Sequence, residues 1–243
     1  AGVTLFHTLL GVYSLMLYDY ARQTNLVIGT PVRGRNVVEL ESIMGYFNNL
    51  LPLQLEIEQN ESFAELIKRI KTLFVESLRY ADVPLEQLAN ELAVERGKGG
   101  FLLYQALFSF QDARQRITQW GALQHEGILL FQRGATEDLG MWFVESGAGL
   151  HGGVTYNTDI LTQATAQRLR TRFFELLDLV ISSQTATVSS LVGLLMPVSL
   201  VAKVVNTVTL ELETVPPVKH IPPSSETEKL LSTIWCFELG LPA

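Results

Sequence analysis

The chain has 243 residues, and 47% of them are hydrophobic, which is enough to bury the core of one or two domains. Its net charge is -7 and no Lys/Arg cluster appears, which argues against nucleic-acid or anionic-membrane partners. No apolar run approaches the ~18 residues of a membrane-spanning helix. The single cysteine, Cys236, cannot form an internal disulfide, so we expect a cytoplasmic protein.

The first quarter of the chain alternates between helical and strand-like patterns. Apolar residues at helical spacing predict a helix over Val3 to Arg22. The apolar run Leu26 to Val32 predicts a buried strand that meets a turn at Gly29-Thr30-Pro31. Alternation over Leu51 to Ile57 predicts a half-buried strand. The capping box Ser62-Phe63-Ala64-Glu65 then opens a long helix.

The next hundred residues predict the rest of one mixed sheet with flanking helices. A short helix is expected from Pro84 to Leu92, and a final long helix begins at the cap Thr162. Strands are expected between these helices, with weaker signals for the second and third, at residues 104–111, 128–131, 140–145 and 150–156. The fold class is therefore α/β, or α+β layered, with helices and strands interleaved around one sheet.

Composition changes after this lobe, which is expected to cover residues 1–191. Residues 192–224 end in a proline-rich stretch and are predicted to be a linker. A second capping box, Ser225-Glu226-Thr227-Glu228, opens another amphipathic helix. Residues 225–243 are therefore expected to begin a second domain.

Several stretches, in order, resemble motifs of condensation domains from non-ribosomal peptide synthetases. Residues 28–35 with 44–53 are similar to the family's strand and loop Gly-x-Phe-Val-Asn-Thr. Residues 80–88 resemble its Asp-x-Pro-Phe-Glu segment, and residues 101–111 its Pro-Leu-Phe-Gln-x-x-Phe strand. Residues 153–161 are similar to its Tyr-Asn-Thr-Asp-Leu-Phe stretch. Residues 225–241 look like the first helix of a carrier domain.

This resemblance implies a fold and a reaction. Such domains pair two lobes similar to chloramphenicol acetyltransferase, and this chain would be the C-terminal lobe. Donor and acceptor carrier domains present substrates as thioesters of 4′-phosphopantetheine in a tunnel between the lobes. The amine of one substrate attacks the thioester of the other, and an amide bond forms. The implied partners are an upstream N-terminal lobe and the two carriers.

The family's His-His-x-x-x-Asp-Gly motif is not in this sequence. Its four histidines stand alone, at His7, His125, His151 and His220. The chain starts at Ala1 without Met, so we expect the motif on an upstream N-terminal lobe. No catalytic residue is assigned here, and this segment alone is expected to be inactive. His125 and His151 show no metal-ligand spacing, and no cofactor is expected to attach to this chain.

Five residues are predicted to line the tunnel or support it. The resemblance implies that Asn49 keeps the family's asparagine, while Asn48 replaces its valine. Asn49 is expected to orient a substrate, and the alternative is that both asparagines satisfy backbone groups in a turn. Arg33 and Arg35 are expected to organise the following loop or, alternatively, to pair with glutamates 39 or 41. Gln111 ends a strand and could face the cleft.

Other interpretations remain open from the sequence. One is an epimerisation or heterocyclisation relative, or a stand-alone acyltransferase of the same superfamily. Another is a non-catalytic docking or recruitment module built on the same fold. The sequence of the upstream lobe, with or without the histidine motif, distinguishes these from an amide-forming domain.

Overall fold

The computed structural model describes residues 2–35, 37–92, 103–114, 119–124, 135–183 and 185–195, with residues 225, 229, 230 and 233. The chain divides into two compact units, residues 1–204 and residues 205–243, and the elements below belong to the first. The predictions for residues 128–131, most of the linker and the carrier-like helix lie outside the described residues.

Seven strands and five α-helices follow one another along the described part of the first unit. The helices are α1 (Leu5–Ala21), α2 (Phe63–Ser77), α3 (Leu85–Glu91), α4 (Gln163–Ser182) and α5 (Val188–Gly193). The strands are β1 (Asn25–Arg33), β2 (Asn48–Glu56), β3 (Ala106–Asp112), β4 (Gln119–Trp120), β5 (Leu123–Gln124), β6 (Leu139–Ser146) and β7 (Gly149–Tyr156). The predicted mixed sheet with flanking helices is confirmed.

Five of these strands form one sheet in the order β2-β1-β3-β6-β7. β1, β3 and β6 run parallel, while β2 and β7 are antiparallel to their neighbours at the two edges. β4 and β5 form a separate short hairpin. Parallel strands need long connections, and the one from β1 to its parallel neighbour β3 contains β2, α2 and α3.

Helix α1 lies in the centre of the core, because apolar residues cover almost its whole circumference. Leu10, Val12 and Leu15 are all fully buried, and α1 contacts α2, α4 and the sheet. The buried phenol of Tyr13 donates a 2.9 Å hydrogen bond to the carbonyl of Leu139 at the start of β6. Burial raises the pKa of this phenol well above its usual range. Helix α1 is therefore tied directly to the sheet.

The predicted caps hold the helix starts. Ser62 accepts from the Glu65 backbone N–H at 3.3 Å, and the Glu65 carboxylate accepts from the Ser62 N–H at 2.8 Å. Thr162 caps α4 by accepting from the N–H of Thr165 at 3.2 Å. Each cap satisfies N–H groups that a helix start leaves without partners. Both starts therefore lie where the sequence predicts them.

The prediction that β1 meets a turn at Gly29 is wrong. The strand continues through Pro31 to Arg33, and β2 pairs with it over this whole length. Proline has no N–H to donate, so it is confined to edges of sheets. Beyond Gly29, β1 has a neighbour on one side only, and there the strand tolerates Pro31.

Candidate functional site

The central strands β1 and β3 pair over two positions only. Ile28 lies opposite Ala106 and Gly29 opposite Leu107. Beyond these pairs, β1 continues beside β2 and β3 continues beside β6. Because β1 and β3 are parallel, their carboxyl ends diverge at the same end of the sheet. A gap therefore opens inside the sheet, between β1 and β3, beyond the two positions at which these strands pair.

A cavity of about 880 Å³ that is open to solvent occupies this gap. Residues 31–33 of β1 line one side, and residues 109–112 of β3 line the other. Arg35 and residues 45–48 complete the lining. Of the predicted site residues, the structure therefore brings Arg33, Arg35, Asn48 and Gln111 to one cavity.

The loop between β1 and β2 is organised around the guanidinium of Arg35. This group donates to the carbonyl oxygens of Leu40, of Ile43 at 2.7 Å and of Gly45 at 3.3 Å. It also stacks on the ring of Phe47, 4.1 Å from the ring centroid. Within the described residues, its partners are thus carbonyls and a ring, not the carboxylates of residues 39 and 41.

A backbone hydrogen bond joins the two ends of this loop, at a point that we call its neck. Gly34 donates its N–H to the carbonyl of Phe47 at 2.9 Å. A Cβ on Gly34 would overlap that carbonyl oxygen, so only glycine allows this close approach. The loop then presents three large apolar side chains to solvent, with exposed fractions of 80% for Val38, 97% for Met44 and 85% for Tyr46. Sequence patterns did not reveal this apolar ridge.

Asn48 and Asn49 point to opposite faces of the sheet. Asn48 lies in register with Arg33, so the two side chains share the face that the cavity uses. Asn49 lies opposite Val32, whose side chain is buried, and it is not among the residues that line the cavity. Its amide nitrogen donates to the carbonyls of Ala81 and Val83, both at 2.7 Å. Asn49 therefore ties β2 to the segment before α3.

One charged group at the rim of the cavity was not predicted. The guanidinium of Arg114 donates to both carboxylate oxygens of Asp112, at 2.9 and 2.6 Å, and lies 3.3 Å from Glu145. These bonds hold the pKa of Asp112 down, at about 2. The close sequence spacing of Asp112 and Arg114 was the only signal that could have suggested the pair.

No histidine is among the described residues that line the cavity. His7 is buried at the start of α1, where its Nδ1 lies 2.8 Å from the Thr4 hydroxyl and accepts from the Thr4 N–H at 3.2 Å. His151 lies exposed on β7, while His125 and His220 fall outside the described residues. Nor do the described residues hold a group of three His, Cys, Asp or Glu placed to bind a metal.

No helix within the described ranges combines the length and the apolar character that crossing a membrane requires.

Comparison with known families decides the assignment. The family model of the condensation domain matches residues 1–195. The chain belongs to the condensation domain family. The resemblance drawn from the motifs is therefore confirmed, while the start of a carrier domain at Ser225 stays a prediction.

Curated relatives of this condensation domain chain are peptide synthetases. It is 33% identical over 177 residues to surfactin synthase subunit 1 of Bacillus subtilis (strain 168), covering 73% of this chain and 5% of the relative. It is also 29% identical over 190 residues to tyrocidine synthase 3 of Brevibacillus parabrevis, covering 78% and 3%. The chain thus spans only a few per cent of the length of such relatives.

Solved condensation domains share its fold. The condensation domain of Monacolin K polyketide synthase matches with a TM-score of 0.68 at 17% identity, over 75% of this chain and 42% of that chain. The first condensation domain of the CDA synthetase matches with a TM-score of 0.63 at 21% identity, over 77% and 42%. In both cases the matched part is less than half of the solved chain.

Proposed function

We propose that this chain is part of a condensation domain that forms an amide bond between two substrates, each tethered to a carrier domain as a thioester. Membership of the family supports this proposal, and so does the synthetase identity of the curated relatives. The chain spans less than half of the solved condensation domains, which supports its assignment as one lobe of two.

The separation of β1 from β3 is the observation that carries the proposal. Strands that part leave backbone N–H and C=O groups along the gap, and such strand edges bind extended chains that contain amides. The arm of 4′-phosphopantetheine is an extended chain with two amide groups. The gap is therefore suited to receive a tethered arm, which would come from a partner carrier and not from this chain.

The chemistry assigns the remaining groups to another lobe. The amine nitrogen attacks the thioester carbonyl carbon, the C–S bond breaks, and the proton lost by the amine ends on the departing thiol. A group that accepts a hydrogen bond from the amine would promote this step, and imidazole is the usual choice. The described lining residues offer no imidazole, so we assign this role to a His-His-x-x-x-Asp-Gly motif on an N-terminal lobe.

Three partners follow from this assignment. The N-terminal lobe would close the tunnel over the open gap, and donor and acceptor carriers would deliver the arms. Tyr46 lines the cavity, and Val38 and Met44 are exposed on the same loop; exposed apolar patches of this kind mark contact surfaces between proteins. In this assignment residues 1–191 are the lobe, 192–224 a linker and 225–243 the start of a carrier, in a cytoplasmic assembly line.

A complementation assay tests the proposal. The chain is expressed alone and joined to its N-terminal lobe, and each form is mixed with carriers loaded with an acyl and an aminoacyl thioester. We expect amide product from the joined form, none from the chain alone, and none when alanine replaces both histidines of the upstream motif. Product from the chain alone would overturn the assignment of one lobe of two. No product from the joined form would overturn the enzymatic assignment.

A recruitment module is the second candidate. The X-domain from teicoplanin biosynthesis, solved in complex with OxyB, matches this chain with a TM-score of 0.68 at 23% identity, over 79% of this chain and 43% of that chain. The fold thus agrees equally with an amide-forming domain and with such a module. Stable capture of a second protein by a joined form that makes no amide would favour recruitment. Epimerised or cyclised product would favour the epimerisation or heterocyclisation relatives.

A further inference from the structure

Two of the three charged side chains that line the cavity, Arg35 and Asp112, have partners within the protein. Asp112 is paired with Arg114, which also lies 3.3 Å from Glu145. The guanidinium of Arg35 donates hydrogen bonds to loop carbonyls and stacks on the ring of Phe47. Across the described ranges, no carboxylate forms an ion pair with Arg33.

Arg33 is placed to bind a ligand inside the cavity. It ends β1 directly opposite Asn48, and both side chains are exposed on the cavity face of the sheet. Across the gap, Ser109 of β3 adds a hydroxyl to the lining. The planar guanidinium binds carboxylate and phosphate oxygens through two parallel hydrogen bonds, and an amide N–H₂ or a hydroxyl can donate to the same oxygens.

We propose that Arg33 and Asn48 form a subsite for an oxyanion carried by a tethered partner. The oxyanion is either a side-chain carboxylate of the substrate or the phosphate of the 4′-phosphopantetheine arm. This inference rests on the proposed function, because that function places a tethered arm in the gap. It adds to that function the prediction that the group bound in the gap carries a negative charge.

Two pairs of probes distinguish the sources of the oxyanion in the joined, two-lobe form. Aspartyl and asparaginyl thioesters of N-acetylcysteamine lack phosphate and differ only in the side-chain carboxylate. Each is offered with its free amine as the acceptor substrate and, in N-acetylated form, as the acyl donor. A leucyl thioester is the second substrate in both cases. Leucyl thioesters of pantetheine and of 4′-phosphopantetheine differ only in the phosphate. The rate constant kcat/KM is measured for wild type, Arg33→Gln and Arg33→Lys.

For the correct source, Arg33→Gln is expected to lower kcat/KM for the anionic probe roughly 10- to 100-fold relative to its neutral twin, the range for a charge-assisted hydrogen bond. Arg33→Lys should retain part of the preference. Arg79→Gln removes an exposed guanidinium that is not among the residues lining the cavity and should change neither ratio. If Arg33→Gln leaves both ratios unchanged, the subsite does not exist.

A binding measurement on the chain itself separates this inference from the proposed function. The side-chain Nε–H resonance of Arg33 is followed by NMR during titration with N-acetylaspartate and N-acetylasparagine, each with its α-carboxyl group blocked as the methylamide, and with 4′-phosphopantetheine. Saturable shifts with an anionic probe and none with N-acetylasparagine support the subsite, even if the joined form makes no amide. Equal responses to all three probes, or none, would overturn it, whatever the outcome of the amide assay.

Discussion

Asp19 of α1 and Arg172 of α4 form an ion pair in the core of the lobe. The Nε of Arg172 lies 2.9 Å from a carboxylate oxygen of Asp19, and their side chains are only 5% and 2% exposed. Arg172 also reaches Glu175 at 3.2 Å, and Arg22 approaches Asp19 from the surface at 3.0 Å. A buried charge is tolerated only with such partners, so each member of this pair depends on the other.

Asp19→Ala should lower the free energy of unfolding by about 3–5 kcal/mol, because it leaves the buried guanidinium of Arg172 without its main partner. Urea denaturation measures the change. Arg22→Ala is the matched control, since it removes the exposed partner of the same carboxylate, and it should cost less than about 1 kcal/mol. Equal losses for the two variants would show that the buried Asp19–Arg172 pair matters no more to stability than the exposed partner of Asp19 does.

The two neighbouring asparagines should differ in what they contribute to the stability of the lobe. Asn49→Asp is nearly isosteric but cannot donate to the carbonyls of Ala81 and Val83, so it should destabilise the lobe by about 1–3 kcal/mol. Asn48→Asp makes the same chemical change on the exposed cavity face and should leave stability unchanged. Thermal or urea unfolding checks this prediction. A larger loss of stability for Asn48→Asp would contradict the opposite orientation of the two side chains.

The sequence predicted the elements that depend on local patterns. The periodicity of α1, the alternation in β2 and the caps at Ser62 and Thr162 are set within a few residues, and all four are found. The motifs also pointed to the right family.

The rest depends on contacts between distant residues. The gap arises because Ile28 and Gly29 find partners near Ala106 while the following residues do not, and no local pattern encodes where such pairing stops. In the same way, the two residues Arg33 and Arg35 read alike in sequence. Only the loop geometry gives Arg35 three carbonyl partners and leaves Arg33 in the cavity.

Arg35→Lys should loosen the loop between β1 and β2. An ammonium group cannot span three carbonyls and stack on Phe47 as the planar guanidinium does. The backbone amides of Leu40 and Ile43, which are hydrogen-bonded within the loop, should then exchange with solvent roughly 10-fold faster, equivalent to about 1.4 kcal/mol. Hydrogen exchange followed by NMR measures this.

Arg33→Lys is the matched control for the loop prediction, because it makes the same replacement two residues earlier, where none of these carbonyl bonds exists. The exchange of both loop amides should be unchanged in this variant. If Arg33→Lys accelerates exchange as much as Arg35→Lys does, the loop does not depend on the carbonyl contacts of Arg35.

Acid should weaken the lobe through His7. Burial, together with nearby Lys71, lowers the pKa of His7 below its ordinary value of 6.5. As the pH falls through about 6.5, the unfolded chain therefore takes up the proton before the folded one, and the free energy of unfolding decreases. His7→Gln keeps an acceptor for the Thr4 N–H but cannot titrate, so the decrease between about pH 7.5 and about pH 5.5 should become smaller.

Urea denaturation at the two pH values measures the effect of His7, with His151→Gln as the matched control. His151 is exposed on β7, so its replacement should keep the wild-type pH dependence. Equal pH dependence in wild type and His7→Gln would show that the buried imidazole is not the source of the acid sensitivity.

Gly34→Ala should open the neck of the loop and with it the wall of the cavity. The added methyl group would overlap the carbonyl oxygen of Phe47, and backbone cannot rotate away as a flexible side chain does. Overpacking of this kind costs about 1–3 kcal/mol, and the bond from the Gly34 N–H to Phe47 should be lost.

Gly147→Ala adds the same methyl group where no atom lies within 4 Å and should cost little. Unfolding free energies of the two variants, with hydrogen exchange of the backbone amide at position 34, make the comparison. A Gly34→Ala variant as stable as Gly147→Ala, with its amide still protected, would mean that the neck accepts a side chain and that glycine is not required there.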